Sequence, residues 1–384
     1  MISDREKTDE KRILQVNVDQ IDYGGVYALV MGIYKELRKH SDIQFDFCSF
    51  EKFQNPEEIK KIEAMGGHVY YIGYEGNKIL RQFIHFHRYR KFLKEHKYHT
   101  IHAHGDLAFK LFIYSFGAKS SGVKKIILHS HSSGVDGTHR KIKSLAHKIF
   151  RPLISYTATD YLACSEKAKE WMYTSKIQKR AVVIKNGIDA SRYAYNQDLR
   201  NYLRKKYNLE NKFVIGQIGG FKYVKNHAFS LKVMQEYLKC DESAVMIFVG
   251  KGELEKDIRK LATQYDLNDR VVFWGGSDEV DKLLLMMDAI IMPSYFEGLP
   301  MVAIEAQASG LPIILSDNIT KEAKATDRVY FETIAATDEW IDRLKQIKVD
   351  NNRHNRNVGL VQLEKSGFDI KNTTEKIAEL YKDD

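Results

Sequence analysis

Residues Met292–Asp317 read MPSYFEGLPMVAIEAQASGLPIILSD, and they decide the fold. An apolar strand ends at Pro293, a loop carries Gly298 and Pro300, a helix opens near Met301, and a second apolar strand follows from Pro312. Proline suits a first helical turn, because the N–H it lacks is one the helix leaves unsatisfied anyway. The free N–H groups of that turn and the helix dipole make this end a site for an anion. Glu297 stands just before the helix and Glu305 one turn inside it, with seven residues between them. Carboxylates in these positions suit a ligand that carries vicinal hydroxyls on either side of a phosphate, since a carboxylate accepts two hydrogen bonds from a diol.

The strand–helix alternation extends in both directions from this stretch. Phe213–Ile218, Val245–Val249, Arg270–Phe273, Ala289–Met292, Pro312–Leu315 and Val329–Phe331 form one series of apolar strands. Ile13–Val18, Ile43–Cys48, His68–Ile72, Thr100–His102, Lys125–His129 and Thr159–Cys164 form an earlier one, with a helix from about Val26 to Lys39 after the first. Short, nearly all-apolar strands separated by helices predict parallel sheets covered on both faces. Two such series in 384 residues predict an α/β protein of two Rossmann-like, doubly wound domains, with ligands beyond the carboxyl ends of the strands. The expected bounds are 1–190 and 191–368, with a last helix at 369–384 (Asp369–Lys382) that is free to pack on either domain. The polar segment Ala190–Asn211 is helix-prone.

Composition narrows the class. Hydrophobic residues make up 43% and charged residues 29%, the balance of a globular chain and not of a disordered or fibrous one. Three cysteines, Cys48, Cys164 and Cys240, lie far apart without metal-ligand spacing, so neither a disulfide framework nor a cysteine metal centre is expected, and a reducing, cytoplasmic setting is. No run is long and apolar enough for a membrane span, and Met1–Arg12 reads as a polar tail without a leader's apolar segment. Lys and Arg outnumber Asp and Glu by 33 to 21 over residues 1–195 and fall behind by 27 to 30 over the rest. A basic first half is compatible with nucleic acid, with an anionic membrane surface, or with ordinary solvated faces.

Further clusters sit at strand ends. Ile215–His227, IGQIGGFKYVKNH, ends a strand in a glycine loop. Gly219 there permits a tight turn and close approach to a ligand, and Lys225 brings a cation for a diphosphate. Ile126–Gly134, IILHSHSSG, ends a strand on His129 and His131. His102 and His104 in IHAHGD read mostly as loop residues on the acceptor side. His-x-His thus occurs twice, but no cysteine cluster or E-x-x-H partner supports zinc, and no metal is expected. Gly24-Gly25 follows the first strand, and no G-x-G-x-x-G occurs, which argues against a dinucleotide-dependent enzyme.

The Met292–Asp317 string resembles the E-x7-E signature of the family 4 retaining glycosyltransferases, which have the GT-B fold of two Rossmann-like domains facing across a cleft. The likeness is greatest to bacterial enzymes of capsular and exopolysaccharide synthesis, and it runs from Gly24-Gly25 to Asp317. It implies that Glu297 contacts the donor sugar and Glu305 the donor ribose, with Gly298, Leu299, Met301 and Val302 around the diphosphate. His129 is implied near the reacting carbon. Gly25, Gly219, Lys222, Lys225 and Gly252 are implied on the donor side, and Gly24, His104, His131 and Asn186 on the acceptor side. Catalysis would rest on His129, Glu297 and Lys225. Trp274 is a candidate to stack on the base or to pack at the rim. In the family the glycine loop reads Gly-Arg-Phe, whereas here the arginine position is Gly220. Lys222 replaces that charge, or the donor geometry differs, or the chain is a noncatalytic relative.

The implied reaction moves a hexosyl or N-acetylhexosaminyl unit from a UDP-sugar to a glycan or lipid-linked acceptor. It needs no cofactor, no metal and no nucleic acid. A noncatalytic partner subunit and, further off, a nucleotide-sugar epimerase are the competing readings. The helix Arg81–Lys97, RQFIHFHRYRKFLKEHK, interleaves aromatics with cations, so its stripe packs on the sheet while its cations are available to an anionic bilayer.

Overall fold

The computed structural model describes residues 11–18, 24–52, 55–137, 139–351 and 356–382. Of the polar tail expected over Met1–Arg12, residues 1–10 lie outside them, and Arg12 instead opens the first strand. The chain divides into two compact units. One comprises residues 1–135, 141–185 and 370–384, and the other residues 136–140 and 186–369. The chain therefore changes unit at Lys185–Asn186 and returns at Asp369–Ile370. The short segment 136–140 counts with the second unit, where the Val224 N–H donates to Asp136 Oδ1 (3.2 Å).

In the first unit the strands are β1 (Arg12–Val16), β2 (Gln44–Ser49), β3 (Val69–Tyr71), β4 (Thr100–Gly105), β5 (Lys125–Ser130), β6 (Asp160–Ala163) and β7 (Val182–Val183). They form one sheet in the order β3-β2-β1-β4-β5-β6-β7, with every pairing parallel. In the second unit β8 (Phe213–Ile218), β9 (Ala244–Val249), β10 (Val271–Gly275), β11 (Ala289–Met292), β12 (Ile313–Ser316) and β13 (Val329–Glu332) pair in the order β10-β9-β8-β11-β12-β13, again all parallel. Both are doubly wound orders that reverse direction beside the first strand, at β1/β4 and at β8/β11. Ligands bind at that switch point in such sheets.

The central strands β4, β5, β8, β9, β11 and β12 are buried at every residue. A parallel sheet demands this, because its crossover helices cover both faces. β7 was not anticipated, since a two-residue edge strand carries too little pattern to read. The reading of His102 and His104 as loop residues is corrected: both lie within β4 and are buried. β4 continues past its apolar residues because β5 runs beside it to Gly105–Ser130.

The final helix, Ile370–Lys382, belongs to the first unit. Its Ile370, Ile377 and Tyr381 enter the core formed by Ile13, Phe45, Phe47 and Ile127. Gly32 on the Gly25–Leu37 helix makes room for it, since a Cβ there would stand 3.1 Å from Ile370 Cδ1. Among the described residues no helix is long and apolar enough to cross a membrane. Ile377 is fully buried, so Ile377→Ala is expected to lower the stability of the first unit by about 2–5 kcal/mol. Urea unfolding followed by hydrogen exchange in peptides of β1, β2 and β4 measures this, and unchanged protection would show that the helix is not part of that core.

Candidate active site

The second unit gathers its polar groups at the carboxyl ends of β8 and β11, on the two sides of its switch point. β8 runs into Gly219, whose N–H donates to the Val249 carbonyl (2.8 Å). The loops after β8 and β9 then pack backbone against backbone. The Phe221 N–H donates to Lys251 O (3.1 Å) and the Leu254 N–H to Phe221 O (3.0 Å). A Cβ on Gly250 would sit 2.2 Å from Gly219 O, and one on Gly252 would sit 2.5 Å from Phe221 O, so neither position accepts a side chain. Gly220 obeys a milder form of the same constraint. A Cβ there would press on Lys251 O at 3.0 Å, while the Lys222 stem passes 3.8 Å from that point. The exposed Lys222 therefore runs beside Gly220, the position where the resemblance implies an arginine.

Lys225 closes the turn that follows β8. Its Nζ donates to Glu297 Oε1 at 2.6 Å, with both side chains mostly buried. Its carbonyl accepts from Gln217 Nε2 (2.7 Å), which ties the turn to β8. Asn226 adopts the left-handed conformation (φ 51°), a region asparagine tolerates better than most residues. It reaches across to β11, where its Nδ2 donates to Pro293 O (3.1 Å). The Tyr295 N–H donates to Val224 O (2.9 Å), and Tyr223 stacks on Tyr295 with ring centroids 4.6 Å apart. Arg140 lies over the Tyr223 ring at 3.5 Å. These contacts hold the loop bearing Lys225 against the loop bearing Glu297.

The Met301–Ala308 helix starts as the sequence predicts, with Pro300 before it and no side chain capping it. Its first backbone bond runs from the Ala303 N–H to Pro300 O (3.1 Å), and the N–H groups of a first helical turn favour an anion. Leu299 is buried, and its carbonyl accepts from Asn186 Nδ2 (3.2 Å). Asn186, expected on the acceptor side, thus braces the approach to this helix from within the second unit.

Glu305 is 7% exposed. Burial pushes its carboxyl up to about 7, against the opposing pull of the Tyr193 hydroxyl and of Arg192. Arg192 is itself held by Asp281 (2.9 Å) and by the Asp278 carbonyl (2.6 Å). Tyr193 and Arg192 were not foreseen. They lie in a 3₁₀ turn, Ala190–Tyr193, within a segment whose polarity signalled only a helix. Trp274 packs against Tyr207 with ring centroids 4.9 Å apart.

The first unit gathers its own polar cluster at β4 and β5. His102 and His104 alternate along β4, and His104 pairs in register with His129 on β5. His129 is buried, not presented on an open strand end. The structure brings it together with His102, His104 and His131. His129 and His131 have ring centroids 4.1 Å apart. Burial lowers the pKa of all four, to about 3 for His102 and His131, and neighbouring rings add to the effect for His102, His104 and His129. The rings are therefore neutral. One nitrogen each of His102, His104 and His129 lie within 4.8 Å of one another. Gly24 precedes the Gly25–Leu37 helix in extended conformation, so Gly25 is its first residue and the helix opens one residue earlier than expected.

Known proteins share both halves of this arrangement. A model described as Glycosyltransferase Family 4 matches residues 23–192, and one described as Glycosyl transferases group 1 matches residues 200–356. The putative glycosyltransferase EpsF of Bacillus subtilis is 30% identical over 322 residues, which is 83% of this chain and 82% of the relative. The UDP-Gal:alpha-D-GlcNAc-diphosphoundecaprenol alpha-1,3-galactosyltransferase of Escherichia coli is 25% identical over 76% of this chain and 77% of its own. The crystal structure of Anabaena Alr3699/HepE in complex with UDP-glucose superposes with a TM-score of 0.76 at 16% identity, covering 96% of this chain and 98% of the other. With one family model on each sheet and a relative that is alike over most of both chains, this protein belongs to the family 4 glycosyltransferases of GT-B fold.

Proposed function

We propose that the protein transfers a hexosyl or N-acetylhexosaminyl unit from a UDP-sugar to a hydroxyl of a glycan or lipid-linked acceptor. Configuration at the anomeric carbon is retained, no metal takes part, and the step serves the synthesis of a capsule or exopolysaccharide. The observation that carries this reading is the Lys225–Glu297 pair set beside an uncapped helix start. The pair offers a cation to a diphosphate and a carboxylate to a sugar hydroxyl within one loop assembly. The helix start, Lys225 and Lys222 would stabilise the leaving UDP, and stabilisation of developing charge is commonly the largest catalytic contribution. Glu297 would hold the sugar and Glu305 the ribose. The Escherichia coli relative, named for transfer from UDP-Gal, and the relative solved with UDP-glucose support a UDP-sugar donor.

Release of UDP from a panel of UDP-sugars, with and without lipid-linked acceptors, tests the proposal. Turnover is expected, and a chelator is expected to leave it unchanged. Binding without turnover would favour the noncatalytic partner suggested by Gly220, and absence of both would end the transferase reading.

Glu305 makes donor binding pH-dependent. The ionised carboxylate accepts both ribose hydroxyls, and its pKa is raised to about 7 by burial. UDP-sugar affinity is therefore expected to weaken as the pH falls through that value. Glu305→Gln should flatten the profile, and Glu305→Ala should weaken binding roughly 10- to 100-fold. Titration calorimetry with a UDP-sugar, whose diphosphate diester does not itself titrate near neutrality, measures both. A wild-type affinity that does not change with pH would remove the assignment.

The same reading places the protein in the cytoplasm, against the inner face of an anionic membrane. The helix first expected offers its cations, and a second helix offers an apolar stripe as well. In Lys78–His96 the residues Tyr89, Phe92 and Leu93 are buried, leaving Leu80 and Phe83 outward. In Arg140–Phe150, by contrast, Ile142, Leu145 and Ile149 fall on one helical face and are 69%, 60% and 56% exposed. Residues 137–159 hold five Lys or Arg and no Asp or Glu. An apolar stripe on a basic segment suits the interface of an anionic bilayer. Sedimentation with phosphatidylglycerol vesicles is expected to capture the protein and phosphatidylcholine vesicles to leave it free, with capture lost in an Ile142→Glu/Ile149→Glu variant. Equal capture by both lipids, or capture that survives the substitutions, would reject this surface.

A further inference from the structure

Six side chains of the first unit form one unbranched hydrogen-bonded chain. From one end it runs His129 Nδ1 to His102 Nε2 (3.2 Å), His102 Nδ1 to the Tyr381 hydroxyl (2.7 Å), and that hydroxyl to Gln15 Nε2 (3.1 Å). It continues from Gln15 Oε1 to His104 Nε2 (2.9 Å) and ends with His104 Nδ1 to His131 Nε2 (2.9 Å). Five of the six are buried and His131 is half-buried. Among the described residues, two side-chain nitrogens of this set lack a partner, His129 Nε2 and His131 Nδ1. They are the two ends of the chain. A buried polar atom left unpaired in a folded protein needs an explanation, and a bound ligand is one.

We propose that Gln15 and Tyr381 are positioning residues that set the tautomer of all four histidines, so that His129 offers an N–H and the adjacent His131 a lone pair to one hydroxyl of a bound substrate. Counting protons along the chain fixes each tautomer. A neutral imidazole has one N–H and one acceptor nitrogen. Gln15 Oε1 only accepts, so His104 carries its proton on Nε2. His104 Nδ1 must then accept from His131 Nε2–H, which leaves His131 Nδ1 as a bare lone pair. On the other arm, Gln15 Nε2 donates to the Tyr381 oxygen. The single Tyr381 proton goes to His102 Nδ1, so His102 donates from Nε2 to His129 Nδ1. His129 is left with an N–H on Nε2. The two arms run in one sense because a single amide anchors both, and only turning that amide over would reverse them together. Such a run of bonds strengthens each member.

A donor beside an acceptor matches a hydroxyl, which accepts from one and donates to the other. A metal held by His102, His104 and His129 fits less well, because His102 and His104 already engage both ring nitrogens and coordination would break the chain. The assignment of a sugar or acceptor hydroxyl as the ligand rests on the proposed transferase reading. The tautomers themselves do not.

The test is the ring-nitrogen NMR spectrum of the whole protein labelled with 15N-histidine, assigned by single-histidine replacement. All four histidines are expected as the Nε2–H tautomer. Tyr381→Phe should release His102 and His129 into a tautomer mixture and leave His104 and His131 unchanged. Gln15→Met removes the amide that anchors both arms and should release all four. A general loosening of the fold would move all four in the Tyr381→Phe variant as well. Any of the four found as Nδ1–H or charged in the wild type, or a Tyr381→Phe variant that also moves His104 and His131, would overturn the proposal. In turnover assays Tyr381→Phe is expected to lower kcat by about 10- to 100-fold, as loss of a group that orients a working histidine does, with UDP affinity unchanged. An inactive wild type with the expected tautomers would count against the transferase reading and not against the chain.

Discussion

A parallel sheet covered on both faces leaves few places for polar chemistry. Every strand interior must be apolar or fully hydrogen-bonded, and the loops at the amino ends are taken up by returning helices. Function is therefore pressed to the carboxyl ends, and above all to the point where the strand order reverses and two neighbouring loops diverge. In the second unit this selects the loops after β8 and β11, and Lys225 and Glu297 meet across them at 2.6 Å. In the first unit it selects the neighbourhood of β1 and β4, where Gln15 and His104 meet at 2.9 Å. The two sites differ in chemistry but have the same topological origin.

Burial then sets how these groups behave. Desolvation raises the Glu305 carboxyl to about 7, with Tyr193 and Arg192 pulling it back toward ionisation. The histidines are driven further, to a state in which no ring carries charge. A charged cluster of four imidazoles at this depth would be prohibitive, whereas a neutral one is stable when its hydrogen bonds are directional. The low dielectric that forbids charge also makes each of those bonds stronger.

The fold was legible because β8 and β11 are mainly apolar runs followed by glycine or proline, and the expected bounds of both coincide with the observed ones. The expected strand stops at His102 while β4 runs to Gly105, because apolar content marks a strand in sequence and polar residues that pair inside a sheet defeat that rule. Glu297, Lys225 and the Pro300 helix start were legible because all are local to a strand end. The partners of Glu305 were not, since Tyr193 and Arg192 are brought to it by a short 3₁₀ turn without periodicity. The two His-x-His motifs were visible separately, but their union depends on β4 lying beside β5 in one particular register. Tyr381 stands 279 positions from His102, beyond any spacing argument.

The return of Ile370–Lys382 to the first unit has a bearing on biosynthesis. The whole second unit emerges from the ribosome before this helix does. Until then Ile13, Phe45 and Phe47 lack their cover, and His102 lacks the hydroxyl that orders it. Of the two units, the first is started earlier and closed later. A nascent chain stalled before residue 370 would hold a complete second sheet and an unsealed first one, which makes this helix the step that closes the first unit.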